Sequence, residues 1–225
     1  MSTVLLSTSY FGPVQWYQKL NRFDDVLIEQ HEHFLKQTYR NRCLIATTQG
    51  TQALSLPVEA AEEGQALSKT EIKDVRISNH GKWRTEHWNA LQSAYGESPF
   101  FDYYQDDIRP FFEQRWDYLL DFNEAIRSKM CELLDIQPRV SLTTEYSPSC
   151  VPPVASDQRS SVSFLLPPSS IIDFREAINP KHPQPDPNFE PKPYYQVYAA
   201  KHGFLPNLSV LDLLFNMGPE GIFYL

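Results

Sequence analysis

Glycine and cysteine are scarce in this sequence, and the short motifs that usually betray an enzyme are missing. Eight Gly stand against eighteen Pro in 225 residues, the reverse of ordinary usage. Glycine-lined phosphate loops are therefore few, and connections are stiffened by fixed φ. Cys43, Cys131 and Cys150 are the three cysteines. They make no C-x-x-C pair, are too few for a disulfide framework and are wrongly spaced for structural zinc, so a reducing, cytoplasmic compartment is expected. No run approaches the roughly 18 apolar residues of a membrane span, and the opening Met-Ser-Thr-Val-Leu-Leu-Ser carries no basic leader region. Positive charge is also lacking: 20 Lys and Arg face 28 Asp and Glu, for a net charge of -8. Nucleic acid, which wants a basic face that releases counterions, is excluded as a default partner, although a local basic patch is not. G-x-x-x-x-G-K-[ST], G-x-G-x-x-G, G-x-S-x-G and H-E-x-x-H are all absent, so no cofactor can be named.

What the chain does have is apolar surface. With 41% hydrophobic residues, 14 Phe and 12 Tyr, it can bury a core of its own as one domain spanning 1–225. Residues 1–80 read as a β-rich half. Val4 to Leu6 form a short buried strand, a turn at Gly12-Pro13 leads to a helix from Val14 to Phe23, and Val26 to Ile28 make a second strand. This spacing suits a parallel βαβ start. Asn41 to Ala46 and Gln52 to Val58 flank a turn at Gly50 and read as a hairpin, and Ile72 to Ile77 read as a further strand. Residues 81–137 read as a helical half, with helices from Trp83 to Tyr95, from Phe101 to Phe112 around Pro110, and from Trp116 to Leu134. Val140 to Thr144 return to the sheet. Thirteen of the eighteen prolines follow Ser147, so 148–193 read as a Pro-rich connection, extended and surface-hugging over 180–193. A C-terminal segment, 194–225, then docks on the core through a helix beginning near Asn207. The expected fold is α/β: a mixed sheet with a βαβ start, a helical layer from the middle third and a Pro-rich C-terminal wrap.

Several residues can carry chemistry, each with a plainer alternative. His31-Glu32-His33 puts two imidazoles on one face of an extended chain, either as part of a metal site or as a solvated pair; two ligands do not make a zinc site, and none is expected. Lys36, Arg40 and Arg42 concentrate cations around Asn41. If the chain is a strand there, Thr38, Arg40 and Arg42 share a face that binds an anion, unless those arginines simply pair with carboxylates. His87, four residues after Trp83 on a helix, is either a core histidine or a general acid or base. Cys43 beside the cations either has a lowered pKa or is buried filler.

Five separated segments together resemble the WbqC-like family. They are Glu32 to Cys43, Leu54 to Val58, Ile72 to Ile77, Trp83 to Tyr95 with Ser98-Pro99-Phe100-Phe101, and Tyr195-Gln196-Val197 with Gly203 to Asn216. Many members of that family carry a His-Gln-Pro-x-x-x-Pro-Trp stretch after the first strand. Here the stretch reads Ser7-Thr8-Ser9-Tyr10-Phe11-Gly12-Pro13, so no role can be transferred from the missing histidine. The resemblance implies a bacterial protein of surface-polysaccharide (O-antigen type) synthesis. Such a protein would transfer an activated acyl, amino-acyl or nucleotidyl group to a sugar; the catalytic candidates, His87 and His31, come from the reading of the residues above and not from the resemblance. The alternative it leaves open is a non-catalytic ligand-binding or assembly protein. Its expected ligand is a nucleotide or nucleotide sugar, whose phosphate would meet Lys36, Arg40, Asn41 and Arg42. The strand, turn, helix, strand opening also resembles nucleotidyl-transfer folds, in which a helix N-terminus faces phosphate.

Overall fold

Three consecutive apolar residues, Val4, Leu5 and Leu6, need cover on both sides, and they form the centre of β1 (Thr3–Ser7). The computed structural model describes residues 3–62, 64–148 and 171–225. From β1 the chain turns at Pro13 into α1 (Val14–Arg22), whose Trp16 indole donates to Ser7 O at 2.9 Å, and returns as β2 (Asp25–Glu29). β1 and β2 pair in parallel from Thr3↔Asp25 to Ser7↔Glu29, as the βαβ reading requires. A hairpin of β3 (Arg42–Thr47) and β4 (Gly50–Ser55) turns at Gly50, whose φ of 102° suits a residue without Cβ. β5 (Val58–Glu59) pairs with β6 (Arg76–Ile77). The expected strand over 72–77 is mostly absent: Ile72–Asp74 is a turn of 3-10 helix, because the Ile72 and Lys73 N–H groups donate to Glu32 O and Gln30 O rather than to a ladder.

Helices α2 (Trp83–Tyr95), α3 (Phe101–Ile108), α4 (Pro110–Glu113) and α5 (Leu119–Leu133) follow. Pro110, which has no N–H to continue a helix, separates α3 from α4. Trp116 stays outside α5, which begins three residues later. β7 (Arg139–Leu142) then joins β2, and β8 (Ile171–Asp173) joins β1, both in parallel. α6 (Ala199–His202) and α7 (Val210–Met217) complete the elements; Ser209 caps α7 by accepting from Leu211 N–H. The architecture is α/β in a single domain, with a four-stranded parallel sheet in the order β7-β2-β1-β8. Antiparallel pairing is segregated into the two ribbons rather than mixed into that sheet. β8 lies within the stretch read as connection. Of that stretch, residues 149–170 fall outside the described residues, while 180–193 hold neither helix nor strand. Among the described residues no helix is long and apolar enough to cross a membrane.

His87 belongs to the core. It is 6% exposed, its Nδ1 accepts from the Tyr10 hydroxyl at 2.9 Å, and its ring meets Trp83 edge-on. Burial disfavours the imidazolium and pulls the pKa down to about 4. Between about 6.5 and that value the unfolded chain binds more protons than the folded one, so stability falls as pH falls through this window. The loss should be on the order of 3 kcal/mol between pH 7 and 4. Urea unfolding across that range measures it, and His87→Gln, which keeps an acceptor for Tyr10 but does not titrate, should flatten the slope.

Candidate functional site

From β1 the chain steps to β2 and β7 on one side, whereas β8 lands on the other, so the strand order reverses at β1. In open α/β sheets ligands bind outside the carboxyl ends of the strands at such a reversal. Ser7, Thr8 and Ser9 stand there after β1, Glu29 and His31 at the end of β2, Thr143 after β7, and Asp173 and Arg175 at β8. Of these, His31, Asp173 and Arg175 line an open cleft of about 690 Å³, together with Glu32, Arg40, Glu71, Tyr146 and Glu176 among others. Behind Arg40 and Arg175 lies a crevice of about 10 Å³, the room of one water. Thr8, 1% exposed, lines it with an unpartnered hydroxyl.

Two arginines build the walls. Arg40 is 4% exposed; its Nε and Nη2 grip the Glu32 carboxylate at 2.8 and 2.7 Å, and Nη2 also donates to Ser7 Oγ at 2.7 Å. Asn123 donates to the Arg40 carbonyl at 2.9 Å and holds the backbone in place. Arg175 forks onto Asp173, with Nη2 at 2.7 Å from Oδ2. Burial works against the Arg175 charge, but the hydrogen bonds and charge of Asp173 outweigh it and push its pKa up. Glu29, wholly buried, accepts from His31 N–H, Thr143 Oγ1–H and Ser147 N–H, with Arg175 Nη1 3.7 Å away.

The 3-10 turn docked on residues 30–32 brings Glu71 to His31. Nδ1 of His31 lies 3.0 Å from Glu71 Oε2, which also accepts from Lys73 Nζ at 2.9 Å. Because an ionised carboxylate only accepts, this contact places the imidazole proton on Nδ1 and the lone pair on Nε2. Nε2 is screened from solvent and has no hydrogen-bond partner. Lys73, and then His31, hold the Glu71 carboxyl below its ordinary range by donating to it.

The expected cation cluster is dispersed. Residues 35–41 form turns rather than a strand, with Gln37 at φ 62°, so the shared face of Thr38, Arg40 and Arg42 does not form. Lys36 is exposed. Asn41 donates to Leu56 O, and Arg42 Nε donates to Ser55 Oγ on the hairpin. Of the four, Arg40 alone is among the residues lining the cleft, where it joins His31. His87 stands apart in its ring cluster. The α1 N-terminus does not face a ligand, because Val14 N–H donates to Leu208 O and Gln15 N–H to Asn207 Oδ1. Cys43 and Cys131 are buried thiols whose pKa burial pushes up, and Cys150 lies outside the described residues. His33 is exposed, and no cluster of His, Cys, Asp and Glu disposed to hold a metal occurs among the described residues. Sequence reasoning missed Glu29, Glu71, Asp173 and Arg175. The one local signal was Asp173-Phe174-Arg175 directly after two isoleucines, opposite charges flanking an aromatic at a strand end.

A model of the WbqC-like protein family matches residues 8–151; β8, with Asp173 and Arg175, lies beyond that span. "Uncharacterized protein Rv1507c" of Mycobacterium tuberculosis (strain ATCC 25618 / H37Rv) is 27% identical over 231 residues, covering 100% of this chain and 98% of that protein. No solved structure matches the chain.

Proposed function

The chain belongs to the WbqC-like protein family, and from that premise we propose that it is a group-transfer enzyme of bacterial surface-polysaccharide synthesis. It passes an activated acyl, amino-acyl or nucleotidyl group to a sugar held in the cleft at the carboxyl edge of the sheet. The observation that carries this reading is the Glu71–His31 pair opening onto the same cleft as Arg40. Glu71 fixes the imidazole tautomer; Nε2, screened from solvent in this structure, takes a proton from the attacking group once the ring turns toward the cleft, and Glu71 offsets the imidazolium charge that forms. Arg40 and Arg175, locked by Glu32 and Asp173, serve as a rigid wall that positions the substrate.

A thermal-shift screen over nucleotides, nucleotide sugars and amino acids, followed by turnover of each hit, tests the proposal. His31→Gln is expected to lower kcat about a hundredfold with little change in KM. Arg40→Lys should raise KM by disrupting the fork on Glu32, whereas Arg42→Lys, on the hairpin, should leave both constants unchanged. Full turnover in His31→Gln would refute the mechanism. A second reading, binding without catalysis, draws on the pairing of both arginines with carboxylates, Arg40 with Glu32 and Arg175 with Asp173; it expects hits that bind with no turnover in the unmodified protein.

A further inference from the structure

We propose that the crevice at the end of β1 is a subsite for one oxygen on a trigonal carbon, the carbonyl of an acyl or amino-acyl group or the carboxylate of its parent acid, so that the transferred group is acyl and not nucleotidyl. This deepens the group-transfer reading and rests on it. The crevice offers about 10 Å³, enough for a water or a single oxygen. Arg40, Arg175 and the run Ser7-Thr8-Ser9 line it, and among the described residues no carboxylate does, although Glu32, Glu71, Asp173 and Glu176 stand along the cleft. Arg40 and Arg175 are walls of both spaces, and a group lying in the cleft extends one atom past them into the crevice.

What the crevice offers that atom is donors. Thr8 is 1% exposed and its hydroxyl has no partner, a state that buried polar groups seldom keep. Ser7 Oγ accepts from Arg40 Nη2, which uses a lone pair and leaves the hydroxyl proton to give; no acceptor for it occurs among the described residues. Arg40 spends Nε and Nη2 on Glu32 and Ser7 and keeps Nη1, which likewise has no acceptor among the described residues. Arg175 is committed: Nε and Nη2 hold Asp173, Nη2 also donates to Ser147 O, and Nη1 lies 3.7 Å from the buried Glu29. Thr8, Ser7 and Arg40 Nη1 are thus the unspent donors, and they suit an oxygen that only accepts, as a carbonyl or carboxylate oxygen does. A phosphoryl centre spreads its charge over several oxygens, and Glu32 and Asp173 already occupy the arginine edges that the others would need.

NMR titration of the full chain with acetate, acetamide and methyl phosphate tests this. Acetate or acetamide should bind about tenfold tighter than methyl phosphate, acetate leading if a carboxylate supplies the oxygen and acetamide if an acyl carbonyl does. Thr8→Val, close in shape but without the hydroxyl, should weaken that binding about tenfold, and Ser7→Ala similarly. Thr8→Ser, which keeps the hydroxyl, should bind as the unmodified protein does, an outcome not expected if Thr8 only fills space; thermal unfolding confirms that each variant is folded. Tighter binding of methyl phosphate, lost in Thr8→Val, overturns the trigonal-carbon assignment. Binding indifferent to Thr8→Val and Ser7→Ala, or no binding by any probe, overturns the subsite and leaves the crevice to a buried water. Turnover of a screened compound that persists in Thr8→Val keeps the group-transfer reading and rejects the subsite. Thr8-dependent binding of acetate or acetamide without turnover of any compound supports the subsite and rejects group transfer.

Discussion

Asp186→Ala is expected to lower stability by about 3–5 kcal/mol, the range for removing one partner of a buried ion pair. Lys19, on α1, has no exposed surface, and its Nζ lies 2.6 Å from Asp186 Oδ2, itself 3% exposed. Burial pulls the Lys19 pKa down against the hydrogen bond and charge of Asp186, which raise it. The ammonium also sits 4.5 Å from the Phe174 ring and donates to Gln18, but neither contact supplies a neutralising charge. Because the cost comes from a stranded cation, the pairing is testable by removing both charges. Lys19→Met with Asp186→Leu should recover most of the loss, since apolar replacements of buried pairs are often neutral or better. Urea unfolding of the two single variants and the double variant measures this; a double variant as unstable as Asp186→Ala would show that the strap over 180–193, not the charge, is what matters.

A comparable loss, about 4 kcal/mol, is expected for Asp212→Ala. Asp212 is wholly buried in α7, and burial pushes its carboxyl pKa up even though three donors pull it down. Tyr95 Oη–H donates to Oδ1 at 2.9 Å, and Tyr194 Oη–H and Gln196 Nε2–H donate to Oδ2 at 2.7 and 2.9 Å. Truncation leaves all three donors unmet where water does not reach, at about 1–3 kcal/mol for each unmet group. Adding Tyr95→Phe and Tyr194→Phe to Asp212→Ala should therefore cost less than the separate effects summed. Strict additivity in thermal or urea unfolding would contradict the network. Tyr95 also accepts from Ala46 N–H, so the variant should loosen the hairpin against α7 as well.

The elements legible in the sequence were those whose own residues decide them. Trp83 to Tyr95 keeps helical spacing up to Gly96, and the helix has those bounds. The parallel βαβ start follows from two apolar triplets around an amphipathic segment. Elsewhere tertiary partners decide. Alternation of Thr38, Arg40 and Arg42 imitates a strand, but Tyr39 O accepts from Tyr10 N–H and Gln37 takes a left-handed φ, which makes a turn. Ile171–Asp173 is too short to announce itself among prolines, and its position beside β1 is a long-range choice. The site divided along the same line: His31 and Arg40 were visible as chemistry-bearing residues. Glu71, Asp173 and Arg175 became members only because a docked turn and a returning strand delivered them.

β1 lies inside the sheet only once residues 171–173 have arrived, and this bears on how the chain is made. A polypeptide grows from its N-terminus, so during synthesis β1 and β2 can pair early while the far side of β1 offers a bare row of N–H and C=O groups. Val4, Leu5 and Leu6 make that row apolar, the kind of edge that recruits strands from other nascent chains. The α1 N-terminus waits longer still, because its cap comes from Asn207 and Leu208. Sequence separations of this size slow folding. The sheet that carries the cleft thus stays open-edged until most of the polypeptide has emerged, so chains halted before β8 would be the species most exposed to aggregation and to chaperone capture.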